Sequence, residues 1–401
     1  MEKRVFLVAA GRTPIGAFGG AFKDYSAVEL GVTCLKQIMA RYAVPADKIG
    51  ELIIGNVLSA GMGMNPARQV GLGAGLPIET PMYGVNQVCG SGLKAVALAA
   101  MSIRCGNAEL VAAGGIENMS QAPYYLKNAR WGGKMNDQVL KDYMVYEGLT
   151  DVFNQVHMGM TAERIGELYG ISRQEQDEFA VQSQQKCKMA VESGAFEPEI
   201  TPVSIPRRKG DPGIVNRDEH PRPDTSPDKL AGMAPAFKKE GSVTAGNASG
   251  INDGAAMVIL AGQDAVDRYH LTPLAEILAD ASAGVEPMVM GMGPVPAILE
   301  ALKRAGMTLA DIDLFELNEA FAVQSIAVNR ELKKLYPSLD ESRINVHGGA
   351  IALGHPIGAS GARILVTLLS AMQKYDKKTG LASLCVGGGM GITMIIQRSG
   401  L

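Results

Sequence analysis

The chain has 401 residues, beyond the roughly 250–300 at which one hydrophobic core stops growing, so two or three packed units are expected. Hydrophobic residues make up 47% and charged residues 20%, a globular balance, while a net charge of −3 with no basic run excludes a nucleic-acid surface. Five cysteines (Cys34, Cys89, Cys105, Cys187 and Cys385) form an odd set without a CxxC pair. That fits free thiols in a reducing compartment, hence a cytoplasmic location, and no His or Cys pair has metal-ligand spacing.

In chain order, Glu2-Lys3-Arg4 followed by Val5 to Ala10 superficially resembles a signal peptide. The apolar stretch is shorter than an h-region and no cleavage site follows, so a first strand is expected. No apolar segment reads as long enough to span a bilayer. Ser26-Ala27-Val28-Glu29 caps a helix ending near Tyr42. Glu51 to Asn56 reads as a strand ending on Asn. Val85 to Gly92, running into the apolar stretch Leu93 to Met101, reads as strand, tight glycine turn and helix. This would set the Cys89 sulfur at a helix N-terminus, where unpaired amides and the macrodipole favour thiolate. Leu110 to Gly115 is a further apolar strand closing on glycines.

Asn118 to Val243 has a different composition, and within it Pro198 to Pro235 shows no strand periodicity. Thr161-Ala162-Glu163 opens one helix there, and Ser172-Arg173-Gln174-Glu175 is a capping box for another running to about Ser193. The stretch reads as an insert folded over one face and covering a site.

Beyond it the chain repeats itself. Asp313 to Asn318 lines up with Glu51 to Asn56. Ile344 to Met372 matches the strand-turn-helix around Cys89, with Gly358-Ala359-Ser360-Gly361 in place of Cys89-Gly90-Ser91-Gly92. Leu384 to Gly388 matches Leu110 to Gly115. Two βα-type halves with buried parallel strands are expected. Equivalent strand ends open to the same side, which brings Asn318-Glu319-Ala320-Phe321 and Gly354-His355-Pro356 beside Cys89 and Cys385. A Cys-His pair raises thiolate content and recycles the proton. Cys34, Cys105 and Cys187 read instead as small buried hydrophobes, His347 as a supporting or structural residue, His157 as a lid contact, and His220 and His270 as surface residues.

These motifs resemble the thiolase family over essentially the whole length, most closely its biosynthetic acetyl-CoA acetyltransferases. The residues that carry the resemblance are Asn86 to Gly92, Asn318 to Phe321, Gly354 to Gly361 and Cys385 to Gly389, with Ala9 to Gly16 and Thr244 to Gly250. The resemblance implies an α/β fold of duplicated βαβ halves in a five-layered αβαβα core. Residues 1–118 with 244–270 would form one half, 119–243 an inserted loop domain that binds coenzyme A, and 271–401 the other half. It further implies a ping-pong Claisen condensation of two acetyl-CoA. Cys89 is the nucleophile, His355 its base, Cys385 the base for the second substrate, Asn318 the holder of a water, and Gly387 with Cys89 the oxyanion donors. Leu149, His157, Met158, Arg222, Ser249, Met290 and Phe321 would contact the CoA thioester. No permanently bound cofactor, metal, nucleic acid or membrane partner is implied, and the protein would be a homotetramer with Gln121 to Gln138 as assembly arm. His220 stands where potassium-activated relatives carry Tyr, so no monovalent-ion site is expected. A degradative 3-ketoacyl-CoA thiolase of broader chain length shares this machinery. A ketosynthase would use two histidines, and a non-catalytic CoA- or lipid-binding scaffold would not need the complete set.

Overall fold

The computed structural model describes residues 3–206 and 211–399; Glu2, the last two residues and part of the 198–235 stretch lie outside it. The first strand forms as expected: β1 (Val5–Arg12) is buried at every position. The helix α1 (Ala27–Arg41) starts at Ser26 with both arms of its capping box in place. The first half continues with β2 (Glu51–Gly55), α2 (Pro66–Ala74), β3 (Met82–Val85), α3 (Ser91–Cys105) and β4 (Leu110–Asn118). The insert contributes α4 (Met158–Tyr169) and α5 (Arg173–Glu192). After it come β5 (Asn252–Gly262), β6 (Ala275–Gly284), α6 (Pro294–Ala305), β7 (Leu314–Leu317), α7 (Ala322–Leu335), α8 (Ile357–Lys374), β8 (Thr379–Val386) and β9 (Met390–Arg398).

The strands form one sheet in the order β7-β8-β9-β6-β1-β5-β4-β2-β3. Its two halves are joined only where Phe6 and Leu7 of β1 pair with Glu276 and Ala275 of β6. That short seam lets the sheet fold around α3 and α8. Alternation along the strands supplies the layers: Val5 and Leu7 face the α3/α8 cluster, whereas Phe6 and Val8 face α1 and α2. On the far side, Leu381, Cys385 and Ile395 meet Ile298 and Leu302 of α6 and Val323 and Ala327 of α7. The result is αβαβα, with a buried helical layer in the middle.

The duplication is real, with two departures from expectation. The sheet is mixed, since only β2 with β3 and β4, and β7 with β8, run parallel; the remaining main-sheet pairings are antiparallel. The strand expected at Ile344 shrinks to one parallel bridge, Phe315 to Ile344. Asn345, at φ +47°, turns the chain away there and spends its side chain on both backbone groups of Leu317.

Three other readings change. The helix expected from Thr161 begins at Met158, because the His157 ring caps it by accepting from the Gly159 N–H at 3.0 Å. The stretch without strand periodicity holds a small hairpin, Val203–Ile205 with Gly213–Val215. Among the described residues, Val88–Cys105 is long and apolar enough to cross a membrane, but 61% of it is buried, as α3 in the middle layer.

The two middle helices touch backbone to backbone. A Cβ on Gly92 of α3 would lie 2.8 Å from the Ala362 nitrogen and 3.0 Å from the Gly358 oxygen, and one on Gly361 of α8 would strike Leu93. Neither obstacle is a flexible side chain, so a methyl group forces the helices apart. Gly92→Ala is expected to destabilise the fold by about 1–3 kcal/mol, measured by chemical denaturation.

Candidate active site

Each reactive side chain hangs on the end of a main-sheet strand or the start of a middle helix. Cys89 lies two residues before the first residue of α3, in a turn that stores strain. Val88, a β-branched residue, sits at φ +46°, a left-handed conformation costing roughly 1–3 kcal/mol. Three hydrogen bonds hold it: the Val88 N–H donates to Asn86 Oδ1 at 2.9 Å, the Gln87 N–H to Ser91 Oγ at 2.9 Å, and Ser91 Oγ to the Val88 carbonyl at 2.7 Å. Cys385 ends β8 and points away from the middle layer, towards Met158, Met290 and Phe321.

His355 lies two residues before the first residue of α8. Its N–H donates to Asn252 Oδ1 at 2.9 Å, and its Nδ1 lies 2.6 Å from Ser360 Oγ. The Ser360 hydroxyl itself donates to the Pro356 carbonyl at 2.9 Å, so it accepts from Nδ1–H. The hydrogen-bond network therefore assigns the proton to Nδ1 and leaves the Nε2 lone pair free. Nε2 is buried and has no partner. Burial, with Arg363 nearby, pushes the imidazole down to about 3, so it is neutral.

Cys89, Cys385, His355 and Gly387 line one cavity of about 530 Å³. Leu149, His157, Met158, Arg222, Ser249, Met290 and Phe321 line the same cavity, so eleven of the twelve residues singled out from the sequence converge. Asn318, 2% exposed, is not part of the lining, although Ala320 and Phe321 shortly after it are, and both its side-chain amide atoms are unpartnered. The insert supplies much of the wall. His157 stacks on Phe237 with ring centroids 4.7 Å apart, and Phe237 meets Phe321 edge-on. Ser249 is tied to the same strand end by donating its N–H to the Ala320 carbonyl at 3.0 Å. Arg222, exposed at the rim, folds its guanidinium onto the carbonyls of Glu219, His220 and Pro221.

Several residues fall elsewhere than expected. His220 is not a surface residue: its ring packs over Gly250, lines the cavity, and is pushed down to about 4 mainly by burial. Phe237 was not legible, because Met233 to Phe237 carries no periodic signal. His347 stands outside the cavity, between Phe196 and Tyr375, in keeping with its structural reading, whereas Cys105 is exposed where a buried hydrophobe was expected. Nor is Cys89 held as thiolate. Its sulfur opens to the cavity but is surrounded by protein, and burial pushes the thiol up to about 11, against the pull of the Gly387 and Cys89 amides. Burial likewise raises Cys385 well above the ordinary thiol range, with Cys89 adding to the effect. At rest the centre is a thiol beside a neutral imidazole with a free acceptor.

The chain matches the family model for the thiolase N-terminal domain over residues 5–264 and the thiolase C-terminal domain over residues 271–398. It is 55% identical over 98% of its length, and 99% of the relative's, to a probable acetyl-CoA acyltransferase of Staphylococcus epidermidis. It is 52% identical to an acetyl-CoA acetyltransferase of Thiocystis violacea, over 99% of this chain and 100% of that one. Among solved structures, the acetyl-CoA acetyltransferase of Bacillus anthracis aligns at TM-score 0.95 and 43% identity, covering 99% of both chains. Human mitochondrial 3-ketoacyl-CoA thiolase in complex with CoA aligns at TM-score 0.95 and 44% identity, covering 99% of this chain and 98% of that one. The chain belongs to the thiolase family. It is an acyltransferase.

A thiol raised by burial is alkylated slowly at neutral pH and faster as pH climbs through its folded value. The rate of Cys89 carboxamidomethylation, followed by mass spectrometry across pH 6–10 (roughly the range either side of a free thiol), is expected to be still rising at the alkaline end. A plateau below pH 8 would contradict the raised thiol.

Proposed function

We propose that this protein catalyses the reversible condensation of two acetyl-CoA to acetoacetyl-CoA and free CoA, through an acetyl group carried on Cys89. The observation that carries the reading is the convergence of two sulfurs, one unpartnered imidazole nitrogen and the Gly387 amide on a single apolar cavity. Cys89 attacks the thioester carbon while its proton passes to His355 Nε2, and the departing CoA sulfur takes that proton away. The tetrahedral oxyanion is met by the amides of Cys89 and Gly387, donors fixed in advance and away from water.

For the second half, His355 takes the proton of Cys385, and the resulting thiolate removes an α-proton from the second acetyl-CoA. The enolate oxygen is stabilised by the His355 imidazolium and a water held by Asn318. The enolate carbon attacks the acetyl carbon on Cys89, the C–S bond breaks, and Cys89 regains its proton from His355. Both sulfurs are thus served by one nitrogen, whose pre-set Nδ1–H leaves Nε2 free for the traffic. CoA thioesters are the substrates, held by Leu149, His157, Met158, Ser249 and Phe321, with Arg222 at the nucleotide end and Met290 near the acyl group. The insert of residues 119–243 is the CoA-binding unit.

The name of one relative, the acetyl-CoA acetyltransferase of Thiocystis violacea, supports the short-chain reading. The test is CoA-dependent cleavage of acetoacetyl-CoA against a 3-ketoacyl-CoA of ten carbons or so: at least about a tenfold preference for the shorter substrate is expected (about 1.4 kcal/mol). Comparable rates would favour the broader degradative thiolase. Cys89→Ala is expected to abolish turnover and the acetylated protein species seen by mass spectrometry. His355→Ala is expected to lower kcat by about 10²–10⁴-fold.

The protein assembles as a cytoplasmic homotetramer in this reading. Support comes from an arm whose Trp131 and Met135 are both 82% exposed, an unusual cost for an unpartnered surface, and from five unpaired thiols. Light scattering is expected to give four times the chain mass; a monomer would overturn the assembly.

A further inference from the structure

The carboxylate of Glu117, at the end of β4, is fully buried and takes no part in the proton traffic above. It accepts four hydrogen bonds. Oε1 takes the Asn56 side-chain amide at 2.9 Å and the Leu58 N–H at 3.1 Å. Oε2 takes the Val57 N–H at 3.1 Å and the Gly358 N–H at 2.9 Å. Three of these donors belong to the turn after β2, in the first half. The fourth is the second residue of α8, in the other half. A carboxylate facing the first turn of a buried 18-residue helix also meets its positive end. The fit is close, since a Cβ on Gly358 would stand 2.7 Å from Oε2. Ile357, one residue earlier, packs with Val57 and Leu58 against Leu149 and Cys89, so the same junction reaches the nucleophile.

The His355 ring is oriented by Ser360, two residues beyond Gly358 in the same helical start. Whatever fixes the first turn of α8 relative to β2 and β4 therefore fixes Nε2 relative to the Cys89 sulfur. We infer that Glu117 is a positioning residue that clasps the His355-bearing end of α8 to the first half and so sets the Cys89–His355 geometry. The inference rests on the reading of Cys89 and His355 as nucleophile and base. It gives a physical reason for a buried acid that would otherwise cost stability. Left without partners, an isolated carboxylate here would be neutral or expelled, and burial does push it up to about 7 against the Leu58, Gly358 and Val57 N–H groups.

Glu117→Gln keeps the shape but turns an amide NH₂ towards two of the four donors. Gly358→Ala leaves the carboxylate and intrudes on it, and also on the Ile116 carbonyl and the Asn56 Cα beside it. In thiolysis of acetoacetyl-CoA by the full-length protein, either change is expected to lower kcat by about 10–100-fold, the scale of a small misplacement of reacting groups. KM for CoA should stay within about twofold, because none of the residues read as contacting CoA lies on α8, and alkylation of Cys89 at fixed pH should slow alongside kcat. A general loss of structure would raise KM as well and expose Cys89, speeding alkylation. That pattern, or kcat within about twofold of the parent in either folded variant, overturns the inference. Should Glu117→Gln fail to fold, Glu117→Asp, which keeps the charge but shortens its reach to Gly358, takes its place beside Gly358→Ala. Cys89→Ala in the same assay keeps the two readings apart. Turnover without Cys89 defeats the nucleophile, whereas an inactive Cys89→Ala beside a fully active Glu117→Gln defeats only the clasp.

Discussion

The backbone contact between α3 and α8 is the constraint on which the rest depends. Each helix carries a reactive residue two positions before its start, Cys89 on one and His355 on the other. Their separation is therefore set by where the two helices cross. Glycine at 92 and 361 allows a crossing closer than side chains would permit. The folded sheet, seamed at Phe6 and Leu7, encloses the crossing on both sides and excludes water from it. A close-packed interior of this kind does not deform gradually, so the catalytic spacing is as rigid as the core.

Burial also sets the electrostatics. The same exclusion of water that would strengthen fixed donors raises both thiols and lowers the imidazole. The resting centre holds no net charge in its Cys-Cys-His set. Charge appears when a thioester arrives, and the amides aimed at it are already in place. This suits a reaction that must not hydrolyse its own acetyl intermediate.

The two halves have diverged at matching positions. Asn56 and Asn318 follow the ends of β2, next to one edge of the sheet, and β7, at the other edge. Asn56 spends its amide on Glu117 and the Ile116 carbonyl, while Asn318 leaves both amide atoms without a partner beside the cavity wall. Glu319, the residue after Asn318, ties Ser183 of the insert to Asn345 and Ile351. Of the two asparagines, Asn56 has gone to scaffolding and Asn318 keeps its amide unspent. The duplicated architecture thus provides two equivalent strand ends, of which chemistry needs only one set.

Much of this was determined by the sequence alone. The capping boxes at Ser26 and Ser172, the glycine turn at Cys89 and the repeat of Glu51 to Asn56 in Asp313 to Asn318 are local signals, written in residue types and short spacings. Cys89, Cys385 and His355 stood out in the same way, while the other lining residues followed only from the resemblance to the thiolase family. Tertiary structure alone decided that Ile344 would be a bridge and not a strand, because a left-handed Asn345 spends its hydrogen bonds on Leu317. It also decided that His220 would turn inward over Gly250, that Phe237 would stack on His157, and that Cys89 would rest as a thiol. Those outcomes depend on which distant segments share a space and on how much water that space holds. Neither quantity is carried by any single stretch of chain.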